Sequence, residues 1–276
     1  MKLNFTAANY PRINTLIRCI VFWAVFIGLL VCSGSVASFF PPRLARLVLG
    51  ILATAAAFLV TFIFLKFEKC SFDKIGLVWE KGTVLRFVKG VLLGALIFTG
   101  MILVLLSVGG LQLQKNTQAF TPGIFLYYLP ILPFAFMEEI AFRAYPFVKL
   151  NKVFGLRLTQ LIIATAFALY HVINGWDVYI AFTGPFVWAF VFGLAAVWSN
   201  GISMPTGIHT ALNMSQLVIG MNGTAGAIWK LSYKDGSAAT LVGKTEHVGL
   251  LLQGAVLLCA VLLTEFYIRK KVNRAS

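Results

Sequence analysis

Two of the chain's nine acidic residues stand side by side inside an apolar stretch, Pro133-Phe-Ala-Phe-Met-Glu138-Glu139-Ile-Ala-Phe-Arg143-Ala-Tyr-Pro146. An ionised side chain at the centre of a membrane helix costs about 2.5–3.5 kcal/mol on the insertion scale, so such groups persist only when paired or turned toward protein or water. In a helix Glu139 and Arg143 share a face and form an ion pair. Glu138 points about 100° away and is left to face something else. A carboxylate within hydrogen-bond reach of a water is a candidate general base. Taken alone, the three charges could equally be a polar knot clamping helices together.

Two of the three histidines also lie in apolar runs: His171 in Phe167-Ala-Leu-Tyr-His171, and His209 in His209-Thr-Ala-Leu-Asn213. Asn213 is four residues beyond His209 and therefore on its face of a helix. A lone histidine in a membrane helix is commonly a helix–helix hydrogen bond; two of them accompanying a Glu-Glu pair point to chemistry. His247, at a loop edge, carries no such signal.

The elements that must position these residues are membrane helices. The 276 residues are 59% hydrophobic and 12% charged, about half the charge of a soluble domain. Eight apolar segments approach the roughly 20 residues that a span requires: Leu16–Val36, Leu47–Phe67, Phe87–Ser107, Gly123–Val148, Leu156–Asn174, Tyr179–Trp198, Met204–Met221 and Val248–Ile268. The expected fold is all-α, a polytopic bundle of about eight transmembrane helices. It forms a single membrane domain over 1–276, with the residues of interest in a core at about 123–221. The short alternating strands of a closed barrel are missing. With the amino terminus inside, the loops place 16 lysines and arginines on the inner side and 6 on the outer, so both termini are expected in the cytoplasm. The basic start and small residues near Ser33–Ser38 also suit a cleaved signal peptide, but the apolar run is nearly long enough to span. The net charge of +14 is spread between apolar runs rather than gathered in a patch, which argues against nucleic acid. Cys19, Cys32, Cys70 and Cys259 have no metal-ligand spacing and read as small apolar residues.

Glu138-Glu139-Ile-Ala-Phe-Arg143, Phe167-Ala-Leu-Tyr-His171 and His209-Thr-Ala-Leu-Asn213, in that order at membrane depth, resemble the three signatures of a known family. This is the CAAX prenyl protease and bacteriocin-processing (CPBP) family of intramembrane peptidases, also called type II CAAX prenyl endopeptidase-like or ABI. Its signatures are Glu-Glu-x-x-x-Arg, Phe-x-x-x-His and His-x-x-x-Asn; each is weak alone, and none departs from the pattern here. The likeness covers roughly Leu126–Val218. It implies an eight-helix hydrolase that cuts a peptide bond of a membrane-associated or lipidated substrate near the cytoplasmic side. Glu138 would activate the attacking water, with His171 helping to hold it. His209 and Asn213 would stabilise the oxyanion, and Glu139 with Arg143 would orient the site. Peptide hydrolysis needs such a base and such N–H donors.

Glu138, His171 and His209 also make the His₂Glu ligand set of zinc peptidases, and the family has often been called metalloproteases. No His-Glu-x-x-His helix is present and the ligands would come from three spans, which favours a metal-free glutamate mechanism. The cofactor expectation is therefore none, or zinc. Depth limits the geometry: at 1.5 Å per residue, Glu138 and His171 lie roughly 16 and 21 Å from the basic inner edge, but His209 only roughly 9 Å beyond Ser203. The three meet only if the turn Ser199–Ser203 is recessed, in a cavity open to the cytoplasm. A carboxylate–histidine transporter and a catalytically idle scaffold, immunity or regulatory protein are the competing readings; no second copy of the Glu-Glu segment supports a repeated transporter half. The compact chain suggests a bacterial plasma membrane, or the endoplasmic reticulum if eukaryotic. Expected partners are a peptide or protein, lipidated or not, and membrane lipids.

Overall fold

The computed structural model describes residues 10–117, 123–221, 223, 225–234 and 239–274. The chain is an all-α membrane bundle: α1 Tyr10–Ala37, α2 Pro42–Phe67, α3 Thr83–Val108, α4 Ile131–Arg143, α5 Tyr145–Ile173, α6 Val178–Thr183, α7 Pro185–Ser199, α8 Ser203–Val218 and α9 Ala239–Asn273. The outward faces carry exposed Ile20, Leu96, Leu161 and Leu262, as lipid contact requires. An apolar solvent leaves the backbone no partners but its own, which is why the spans are helices.

Among the described residues six stretches are long and apolar enough to cross a bilayer: Pro11–Ala37, Leu44–Phe67, Thr83–Val108, Ile124–Ile173, Val178–Ser199 and Val242–Asn273. The expected eight segments map onto them as follows. The expected fourth and fifth segments fall in the single 50-residue stretch, because the link between them is itself helical. The expected seventh segment is α8, only 16 residues long and rich in polar side chains. The 50-residue stretch is nevertheless a hairpin. Gly155 breaks α5 with φ 75° and ψ 169°, and Phe142 meets Phe167 with ring centroids 5.0 Å apart, whereas a straight helix would separate them by roughly 37 Å.

The α8 helix that carries His209 is held against α3 at backbone contact distance. A Cβ on Gly90 would lie 2.2 Å from the Met204 carbonyl oxygen, and one on Gly207 would lie 2.2 Å from that of Phe87. Gly90, Gly94, Gly207 and Ala211 thus form facing small-residue stripes, the device that lets membrane helices approach closely. The two helices run parallel, since Gly90 faces Met204 and Gly94 faces Ile208 and Ala211. Accordingly, the segments that follow them pair in an antiparallel ribbon, β1 Leu111–Lys115 with β2 Trp229–Tyr233. The sequence reading contained no such ribbon. Gly207→Val is expected to force α8 off α3, lowering thermal stability in detergent by about 2–4 kcal/mol and displacing His209 with it. An unchanged melting temperature would contradict the close packing.

An ionic cluster ties α1, the end of α2 and α5 together. Glu68 accepts from Tyr145 Oη at 2.6 Å and from Arg18 at 2.9 Å, and Lys149 completes it. Burial raises the Glu68 carboxyl's pKa, but the donors outweigh burial and hold it below the ordinary glutamate range. A group depressed in the folded state stabilises above its unfolded value, about 4.3. That contribution is lost as pH falls through the folded value. Glu68→Gln is therefore expected to cost about 1–2 kcal/mol at neutral pH and to flatten the acid limb of stability. A variant whose loss grows on acidification would contradict this sign.

Candidate active site

The hairpin and α8 bring four of the signature residues, Glu138, Glu139, Arg143 and His209, into contact. On α4, Glu139 and Arg143 are fully buried, with Arg143 Nε 3.5 Å from Glu139 Oε2, while the Glu138 side chain keeps 13% exposure. The two neighbouring carboxylates are thus separated by helical geometry into one sealed and one reachable from outside. At 3.5 Å the Arg143 contact is an ion pair rather than a hydrogen bond.

His209 is shared between both carboxylates. Its Nδ1 lies 2.9 Å from Glu139 Oε1 and its Nε2 lies 3.5 Å from Glu138 Oε2. An ionised carboxylate only accepts, so Nδ1–H donates to Glu139 and Nε2 is aimed at Glu138. The result is a connected row: Arg143, Glu139, His209, Glu138. Sequence reasoning gave Glu139 to the arginine alone; its second oxygen fixes the imidazole as well. The turn before α8 is closely packed. There Ser199 Oγ donates to the Ala195 and Gly201 carbonyls at 2.8 and 3.1 Å, Ile202 is buried, and Gly76 packs on the Gly201 backbone.

His171 is buried near the end of α5 with Nδ1 2.8 Å from the Phe167 carbonyl oxygen. Nδ1–H donates there, leaving Nε2 for another partner. Both imidazoles lie against the Phe167 ring, His171 at 4.6 Å and His209 at 6.2 Å between centroids. No hydrogen bond joins His171 to Glu138 among the described residues. Asn213 is half-buried one turn beyond His209, and its amide has no hydrogen-bond partner among the described residues.

The residues that sequence reasoning missed are aromatic. The Arg143 guanidinium sits 4.3, 5.1 and 5.8 Å from the rings of Phe167, Phe192 and Phe142. Its nitrogens have no hydrogen-bond partner among the described residues, so ring faces and the two neighbouring carboxylates, Glu139 first and then Glu138, balance its charge. Phe192 also stacks on His209 at 4.6 Å and 13°. Trp23 stacks on Phe142 and donates its Nε1–H to the Ala141 carbonyl at 3.1 Å. Phe142 and Phe167 fall inside the quoted motifs and could have been found there; Phe192 and Trp23 have no local signal.

The zinc set fits poorly. His209 Nε2 and Glu138 Oε2 have a spacing that two ligands of one ion could share, but no three His, Cys, Asp or Glu side chains converge in a metal-holding group among the described residues. Two grooves lie elsewhere, an apolar one between α1 and α5, past Trp23 and Tyr170, and one at the Gly155 break, and neither is lined by Glu138 or His209. Around the site the Phe167 and Phe192 rings pack against His209 and the Arg143 guanidinium.

A family model described as Type II CAAX prenyl endopeptidase Rce1-like matches residues 119–215, about a third of the chain and the part that contains Glu138, Glu139, Arg143, His171, His209 and Asn213. No curated protein and no solved structure matches the chain significantly. Residues 119–215 are therefore similar to an Rce1-like type II CAAX prenyl endopeptidase domain, within a chain whose apolar helices make it an integral membrane protein.

Proposed function

We propose that this chain is an intramembrane endopeptidase that hydrolyses a peptide bond by glutamate-activated water, without a metal ion. The observation that supports this best is the arrangement of His209, held by Glu139 through Nδ1 with Nε2 facing Glu138. Glu138 takes a proton from water as the oxygen attacks the scissile carbonyl carbon, and His171 Nε2 helps to hold that water. The carbonyl oxygen becomes an oxyanion that receives N–H donors from protonated His209 and from Asn213. As the tetrahedral intermediate collapses, Glu138 returns its proton to the leaving amine.

In this reading both termini are cytoplasmic, the membrane is a bacterial plasma membrane, and the substrate is a peptide precursor or membrane-protein segment, lipidated or not. The test is incubation of purified protein in proteoliposomes with lipidated and unlipidated peptides, with and without a strong chelator, beside metal analysis of the protein. Cleavage that survives chelation in metal-free protein is expected. Cleavage that stops on chelation and returns with zinc would overturn the metal-free step, and absence of cleavage of any membrane peptide would overturn the enzyme.

A further inference from the structure

The basic end of the bundle contains a groove that plays no part in the site above. It has a volume of about 470 Å³ and lies where the α5 break at Gly155 meets the ends of α7 and α9. Its floor is apolar, from Leu156, Ile268 and Val272, and its rim carries Asn151, Lys152 and Lys271. Both lysines are exposed, and neither has a carboxylate partner among the described residues. The nearest acid on α9, Glu265, is already neutralised by Arg157 through two contacts of 2.6 and 2.7 Å. The rim therefore keeps a net positive charge. It stands where the apolar run of α9 ends in Arg269-Lys270-Lys271, the level at which lipid headgroups meet the chain.

We propose that this groove is a binding site for one anionic phospholipid. The phosphodiester lies between Lys152 and Lys271, with the Asn151 amide as a further donor, and an acyl chain lies on Leu156, Ile268 and Val272. The ligand must be amphipathic because the site is: ammonium groups at the rim pair with phosphate, and the floor offers only hydrocarbon contact. Gly155 opens the groove, since its positive φ ends the helix and nothing stands within 4 Å of where a Cβ would be. The proposal does not depend on the peptidase reading, as neither Lys152 nor Lys271 touches the catalytic row.

Native mass spectrometry of the purified full chain, titrated with phosphatidylglycerol or phosphatidylcholine, tests it, with inorganic phosphate as a third arm read by thermal unfolding. Phosphatidylglycerol is expected to bind about tenfold tighter than phosphatidylcholine, and removal of each lysine to weaken it about fivefold. Lys152→Ala/Lys271→Ala should then erase the preference, while Lys81→Ala/Lys89→Ala, an equal change of charge at exposed positions elsewhere, should retain it. Equal loss in both double variants would reduce the effect to general charge and overturn the site. So would a Lys152→Ala/Lys271→Ala protein that still prefers phosphatidylglycerol, or stabilisation by inorganic phosphate equal to that by the lipid. Melting curves of the lipid-free variants separate lost binding from lost fold.

Discussion

Glu138→Gln is expected to reduce peptide cleavage by a factor of about 10²–10⁴, the usual contribution of a positioned general base, while the protein stays folded. Glutamine keeps the volume and one oxygen, so the contact with α8 persists, but it cannot take a proton from water. The side chain is partly exposed and its Oε2 meets only His209, so stability should change by less than about 1 kcal/mol. The readout is the split between the two: kcat falls while the melting temperature holds. A variant that cleaves normally would remove Glu138 from the chemistry, and one that unfolds would make it the structural knot that the three charges alone permit.

Arg143→Met is expected to have the opposite signature, destabilising the protein by about 3–5 kcal/mol, because removing one member of a buried ion pair leaves the other charge uncompensated. Glu139 would keep only the His209 contact in a site with no exposure, and the cage of Phe142, Phe167 and Phe192 would lose the cation it surrounds. Adding Glu139→Gln removes the stranded charge and should restore most of the stability, since a buried ion pair replaced by matched neutral groups is often neutral or better. Activity should not return with it, because the carboxylate that accepts from His209 Nδ1 and turns Nε2 toward Glu138 would be gone. If the double variant recovers both stability and cleavage, Glu139 is not an orienting residue.

Much of this was legible in the chain because charge in an apolar environment has few explanations. Two adjacent glutamates, an arginine four residues on and two membrane histidines must find one another, and spacing alone told which carboxylate faces which way. What did not follow were long-range packing choices. Nothing local in Gly90 or Gly207 announces that their helices touch at backbone distance. Nothing local in Phe192 says that its ring covers both an arginine and a histidine. The number of apolar stretches, six, differs from the expected eight segments for a related reason: helical character runs through the link at 149–155, so composition cannot say where one pass ends. The ribbon of Leu111–Lys115 with Trp229–Tyr233 joins segments more than a hundred residues apart, and its pairing exists only because parallel α3 and α8 deliver both to the same end.

The most direct measurement is a double-mutant cycle on cleavage rate in proteoliposomes, comparing the unaltered protein, Glu138→Gln, His209→Gln and the pair. If the base and the imidazole serve one transition state across the 3.5 Å that separates them, each single change should cost nearly as much as both together, as groups acting as a unit do. Losses that simply multiply, or a His209→Gln protein that cleaves at the unaltered rate, would show that the two side chains are neighbours without being partners.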